Sequence, residues 1–397
     1  MNLKPSPFAP ATFPALPTVK GLRAATGSRG FYARRGIERD DVFLFAFDEG
    51  TTCAGVYTVS NTASADVRWC REALKTGGGK ARALVAHSGN SNAFTGPKGV
   101  EKNEATLKAM TGTLGVAKET CFLAATGVIG EPLKDPNFVG AFVPDLAAKL
   151  GQPDWEACAR AFMTTDTYPK ASGRRVDLAG APTAFAGIAK GSGMIMPNMA
   201  TMLSYVFTDA AVAPELLQDL LEDITDETFN AITVDGDTST SDTLMVFATG
   251  GTGEGMIETR EDERFPAFAA ALHATCLDLA LQVVKDGEGA SKFVTVRVEG
   301  AVSAIAGEDA NWGRVVMAVG KSLEPIIMEE LAIWFDDVQV AKGGARAPDY
   351  DEAAASAVFA KPEFTIRVDL GYAGFASTVW TCDLTHGYVD INGAYRT

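Results

Sequence analysis

The sequence predicts an α+β fold, and three observations lead there. Strand-like and helix-like segments alternate irregularly, without the βαβ cycle of a doubly wound sheet. Of the 397 residues, 47% are hydrophobic, enough for a large core in one big unit or two to three domains. No internal repeat, low-complexity tract or run of eighteen apolar residues interrupts the pattern, so neither a solenoid nor a membrane span is indicated.

Taken in order, residues 1–20 form an extended arm, because their prolines oppose helix and central strand alike. The arm lacks the basic start and long apolar run of a signal peptide, so the cytoplasm is expected. Val42 to Phe47, Gly55 to Val59 and Ala83 to Ala86 have strand composition. The last of these leads into a Gly-, Ser- and Asn-rich loop, His87 to Gly96, suited to a binding site or to an ordinary turn. Glu101 to Leu114 predicts a helix and Cys121 to Ala125 a strand that ends in Thr126-Gly-Val-Ile-Gly-Glu131. Helices follow near Phe138 to Leu150 and Asp154 to Phe162. Ala171 to Phe185 then stands out as an insertion able to alter a loop.

Past the midpoint, Thr201 to Phe207 is a strand, Pro214 to Thr228 an acidic amphipathic helix, and Ala231 to Val234 a short strand. Thr243 to Ala248 is another strand. Pro266 to Lys285 is a helix apolar on nearly every face, which predicts deep burial. Phe293 to Val298 alternates as a strand. A helix after Asn311-Trp-Gly-Arg314, a strand and polar turn to Asp349, a helix near Tyr350 to Phe359 and strands Phe364 to Leu370 and Ser377 to Asp383 complete the chain.

The organising stretch is Lys190 to Leu203. Gly191 and Gly193 open backbone conformations closed to other residues, and Pro197-Asn198 signals a turn, so the chain before Ala200-Thr201 is sharply bent. Two readings of Thr201 stand. In one it merely begins a strand. In the other its hydroxyl attacks the carbonyl before it, and the α-amine so freed becomes the base for that hydroxyl.

Charge and motifs exclude several classes. A net charge of −15 argues against nucleic acid, which needs clustered Lys and Arg, but not against a small anion. Cys53, Cys70, Cys121, Cys158, Cys276 and Cys382 never form a C-x-x-C pair and are expected as reduced core residues. His87, His273 and His386 are far apart, so no metal site is expected. Gly77-Gly-Gly-Lys80 fails as a phosphate loop, since Leu74 replaces the first glycine and Ala81 the Ser/Thr. Asp235 to Thr243 lacks the glycine and terminal glutamate of a calcium loop, and no G-x-S-x-G elbow occurs.

Nine ordered motifs resemble the ornithine acetyltransferases, the glutamate N-acetyltransferases of arginine biosynthesis. They are Ser88-Gly-Asn-Ser-Asn-Ala-Phe-Thr-Gly96, Thr126 to Leu133, Met163-Thr-Thr-Asp-Thr-Tyr-Pro-Lys170, Ala189 to Met194, Pro197 to Leu203, Asp235 to Thr243, Asp286-Gly-Glu-Gly-Ala-Ser-Lys292, Asn311 to Arg314 and Tyr388 to Thr397. The resemblance implies an αββα layered fold with a smaller C-terminal subdomain. It also implies self-cleavage at Ala200-Thr201, giving an α chain (21–200 beyond the arm) and a β chain (201–397), assembled as α2β2. Thr201 is then the nucleophile toward N-acetylornithine, and Thr126 and Gly127 form the oxyanion hole. Substrate contacts fall on Thr164, Lys190, Thr201, Glu288, Asn392 and Thr397, with Thr165 competing for the place of Thr164. Acetyl passes to glutamate in a ping-pong cycle, no cofactor is needed, and acetyl-CoA is a second acetyl donor in some members. Two rivals remain: a self-processing aminopeptidase or amidase that uses water, and a non-catalytic metabolite-binding homologue.

Overall fold

The structure, a computed structural model, describes residues 4–33, 36–196, 202–237, 239–299, 327, 329–343, 345–371, 374 and 376–382. Two sheets face each other. The first has the order β1 (Leu22–Gly27), β2 (Val42–Phe47), β4 (Ala83–Asn90), β5 (Cys121–Val128). The second runs β3 (Thr52–Tyr57), β9 (Thr243–Ala248), β8 (Leu203–Thr208), β7 (Ala181–Lys190), β6 (Lys170–Leu178).

Alternation along the strands builds the layers, because successive side chains point to opposite faces. Phe43, Phe45 and Phe47 of β2 point inward and meet Tyr205, Phe207 and Phe247 of the second sheet. Phe47 stacks on Phe247 at 4.5 Å between ring centres and Phe45 meets Phe207 at 4.6 Å. Val42, Leu44 and Val85 point the other way, against Leu107 and Met110 of α2 (Pro97–Leu114) and Val143 of α3 (Val143–Ala147). On the far side, Phe185, Val206 and Val246 pack under α5 (Pro214–Glu227) and α6 (Phe265–Lys285). The expected αββα order is therefore present. Of the shorter helices, α1 (Ala65–Thr76) packs on β5 and β3, and α4 (Trp155–Ala161) on β1 and β7. The described helix that is long and apolar enough to cross a membrane is α6, and its buried face lies on β6 and β7 as a core helix does.

A third, six-stranded sheet toward the C-terminus has its own core. Its order is β13 (Ala345–Arg346), β12 (Val338–Lys342), β11 (Ala332–Phe335), β14 (Glu363–Asp369), β10 (Phe293–Glu299), β15 (Ala376–Cys382). Ala355 and Val358 of α7 (Glu352–Phe359) pack against it. Between residues 4 and 19 the arm carries neither helix nor strand, and Ser6 anchors it: its N–H donates to Thr167 Oγ1 at 2.9 Å and its hydroxyl to the Lys285 carbonyl. All six cysteines are buried and free.

Several expectations are corrected. Ala171 to Phe185 is not a loop: it forms most of the β6–β7 hairpin, closed by Ala179 and Gly180 at φ 53° and 94°, values of a two-residue hairpin turn. Its Arg174, Arg175 and Asp177 hid the strand because β6 is a sheet edge, where charge is tolerated and useful. The loop expected from His87 begins only at Ser91, since β4 continues through Asn90 alongside β5. Ala231 to Val234 makes a single bridge, Ile232 to Trp380, instead of a strand. Phe138 to Leu150 holds only a 3-10 turn and the short α3. The Asn311 to Arg314 motif and the helix expected after it lie outside the described residues.

Candidate active site

One cavity of about 240 Å³ opens where the ends of both central sheets converge. Thr126, Gly127, Thr164, Thr165, Lys190 and Glu288 all line it. Met202 and Leu203 line it too, so the cavity lies against the residue that follows Thr201 in the chain. Ala200, Thr201, Asn392 and Thr397 lie outside the described residues.

Thr126 and Gly127 owe their place to a bulge. β5 runs parallel to β4 in register from Ala83↔Cys121 to Gly89↔Gly127, and the register then shifts at Asn90. Such a shift ends pairing and re-aims the strand. Gly127 sits at φ 128°, and a Cβ there would lie 2.6 Å from the Gly89 carbonyl carbon and 2.7 Å from Asn90 N. Only glycine meets both demands.

Lys190 is the last residue of β7, paired with Leu203 of β8. It is 3% exposed, and its ammonium has no hydrogen bond or ion pair among the described residues. Burial lowers its pKa below the ordinary lysine value, opposed by the charge of Asp166 and, more weakly, of Glu288 and Asp242. Just beyond, Gly191 N donates to Asp166 Oδ1 at 2.6 Å, while Met194 N and Ile195 N donate to the Asp235 carboxylate at 2.5 and 2.8 Å. At Gly193 the backbone passes so close to Glu288 that a Cβ would lie 2.7 Å from its Cδ. Glu288 itself is held by its own N–H, which donates to Ser192 O at 2.9 Å.

Three acidic residues escaped the sequence reading although each lies inside a motif quoted above. Asp166 and Asp235 hold the turn after Lys190. Asp242, fully buried just before β9, accepts the Met202 N–H at 2.7 Å through Oδ1, and its Oδ2 has no hydrogen-bond partner among the described residues. Burial pushes its pKa well up, the Met202 N–H and the Lys190 charge only partly offsetting it. Their signal was that acids recur in glycine-, serine- and threonine-rich loops, where a carboxylate commonly ties down backbone N–H groups.

The cavity thus joins a hydroxyl and a backbone turn at a strand end, a buried cation able to receive a carboxylate, and a carboxylate able to receive an ammonium. Among the described residues no group of three or more His, Cys, Asp or Glu side chains is arranged to hold a metal.

A family model described as the ArgJ family matches residues 25–397. The arginine biosynthesis bifunctional protein ArgJ of Rhizobium meliloti (strain 1021) is 50% identical, with 99% of each chain covered. Its namesake from Agrobacterium fabrum (strain C58 / ATCC 33970) is 48% identical, with 100% of each covered. A crystal structure of the bifunctional protein ArgJ from Bacillus halodurans is 37% identical over 49% of this chain and 100% of that one, at a TM-score of 0.44.

Proposed function

The chain belongs to the ArgJ family, and from that premise we propose that it transfers the acetyl group of N2-acetyl-L-ornithine to L-glutamate in arginine biosynthesis. Thr201, freed by self-cleavage of Ala200-Thr201, takes the acetyl group on its hydroxyl with its own α-amine as base. Thr126 and Gly127 stabilise the oxyanion, ornithine leaves, and glutamate collects the acetyl group. The relatives are called bifunctional, and the second activity proposed here is acetylation of glutamate from acetyl-CoA as a co-substrate, without a bound cofactor. The processed chains act in the cytoplasm as α2β2, with Asn392 and Thr397 completing the substrate contacts.

One observation supports the reading most: a buried Lys190 ammonium, with no ion pair or hydrogen bond among the described residues, shares its cavity with Thr126, Gly127, Thr164 and Glu288, next to Met202. Donor and acceptor both carry an α-carboxylate, so a single fixed cation serves both half-reactions. Glu288 favours the ornithine ammonium. The test is incubation with N-acetylornithine, with and without glutamate. Ornithine release beyond one equivalent per site should require glutamate, whereas sustained release without it would mean a hydrolase and overturn the transferase reading.

Lys190 adds a pH dependence. Its charge is present below its pKa and lost above it, and burial has moved that pKa down. Substrate carboxylate favours the charged form, so the KM for glutamate should climb as pH rises through the lowered pKa of the free enzyme. Lys190→Arg keeps the charge throughout. The ratio of the two KM values should therefore fall with rising pH when the arginine variant is the numerator, and a constant ratio would remove Lys190 from carboxylate binding.

A further inference from the structure

Asp166, which holds the turn after Lys190, belongs to a buried charged cluster with Lys170 and Asp286. Lys170 Nζ stands 2.7 Å from Asp166 Oδ1 and 2.6 Å from Asp286 Oδ2, and all three side chains have no solvent exposure. Burying three charges costs several kcal/mol each before their attraction returns it, so such a cluster is weak evidence for stability as such. What it touches is more informative. Asp166 accepts Thr164 N at 3.0 Å through Oδ2 and Gly191 N at 2.6 Å through Oδ1. The Asp286 carbonyl accepts the Ser192 hydroxyl at 2.6 Å, and Ser192 O in turn accepts Glu288 N at 2.9 Å. Thr167 closes the cluster by donating its N–H to Asp286 Oδ2 at 2.9 Å and its hydroxyl to Oδ1.

We infer that the Asp166–Lys170–Asp286 triad is a positioning device for amino-acid binding, holding Thr164, the Lys190–Gly193 turn and Glu288 in one mutual arrangement. The inference rests on the function proposed above for that cavity. Three segments far apart in sequence each carry one substrate contact, and each is tied to the triad by a main-chain or hydroxyl bond. A second link is electrostatic. The triad holds two carboxylates and one ammonium, and Asp166 is the strongest of the charges that keep Lys190 protonated. Burial opposes the ionised Asp166, yet Lys170, then Lys190 and the Gly191 N–H, outweigh it and hold its carboxyl below the ordinary value. The excess carboxylate is thus shared with Lys190 while the cavity waits for a substrate carboxylate.

Two variants test this. Ser192→Ala cuts the tie between Asp286 and the turn and leaves every charge in place. Lys170→Met removes the centre of the triad. Affinity for L-ornithine and L-glutamate is measured by calorimetry, and active sites are counted by the burst of ornithine released from N-acetylornithine without glutamate. Loss of one neutral hydrogen bond predicts about fivefold weaker binding of both amino acids in Ser192→Ala, and loss of the charged centre predicts about thirtyfold or more in Lys170→Met. The part of the effect carried by the position of Lys190 is lost with that side chain, so Ser192→Ala should weaken binding less when added to Lys190→Ala than when made in the wild type. Unchanged affinity per active site in Ser192→Ala, or full additivity with Lys190→Ala, overturns the inference. If Lys170→Met does not fold, the Ser192→Ala pair decides alone. If the wild type binds both amino acids but transfers nothing, the proposed function fails, while the shift in affinity still judges the triad.

Discussion

Thr201→Ala should leave the chain as one uncut polypeptide of 397 residues and abolish acetyl transfer, a loss of about 10⁴-fold or more, as removal of an activated nucleophile produces. In the mechanism proposed above, self-cleavage and catalysis would ask the same hydroxyl to attack two carbonyls in turn, first that of Ala200 and later that of the acetyl donor. In the first event so proposed, the Thr201 hydroxyl would replace the amide nitrogen on the Ala200 carbonyl, and water would then cleave the ester to leave a carboxyl on Ala200 and an amine on Thr201. The structure supplies the surroundings: Asp242 fixes the Met202 N–H, and Leu203 pairs with Lys190 at the cavity wall. The wild type should run on a denaturing gel as two chains of nearly equal length. Thr201→Ser, which keeps a hydroxyl, should be cut and retain some transfer. A cut Thr201→Ala chain would move the nucleophile to another residue.

How much of this was legible in the sequence differs between local and distant features. β2, α2, α5 and α6 were readable because their apolar patterns are long and their boundaries carry turn or proline signals. The β6–β7 hairpin was not, since an edge strand bearing Arg174, Arg175 and Asp177 has lost the apolar run that marks buried strands. Similarly, His87 to Asn90 has the polar composition of a loop, yet backbone pairing with β5 makes it strand.

For the site, the motifs indicated which segments matter: Thr126, Gly127, Thr164, Lys190 and Glu288, drawn from four of them, line one cavity. What no local pattern carries is the pairing between segments. Thr167 and Asp286 are 119 residues apart, and Asp166 and Gly191 are 25 apart. Asp286 in a Gly-Glu-Gly turn is indistinguishable from a solvated turn residue until Lys170 is brought to it. Asp242 was hidden for the same reason, because its significance lies in the Met202 N–H, 40 residues upstream.

Gly127→Ala is the second variant for which a large loss is expected, and its cause is steric before it is chemical. At φ 128° an L side chain is strained, at a cost of about 1–3 kcal/mol. Its methyl would also stand 2.6 Å from the Gly89 carbonyl carbon and 2.7 Å from Asn90 N, and neither backbone atom has a rotamer through which to escape. β5 must therefore part from β4 at the bulge, carrying the residue 127 N–H and Thr126 away from the reacting carbonyl. Donors preorganised for an oxyanion act only where charge develops, and losing one costs about 10²–10³ in rate. Gly127→Ala disturbs both, so kcat should fall by at least about that factor, with a lowered melting temperature as the steric signature. Thr126→Val provides the contrast: it keeps the shape and β-branching, removes only the hydroxyl, and should lower kcat by about 10² with little change in melting temperature. Wild-type kcat in Gly127→Ala would place the oxyanion hole elsewhere in the cavity, whereas equal melting losses in both variants would mean that strand geometry and not a missing donor sets the rate.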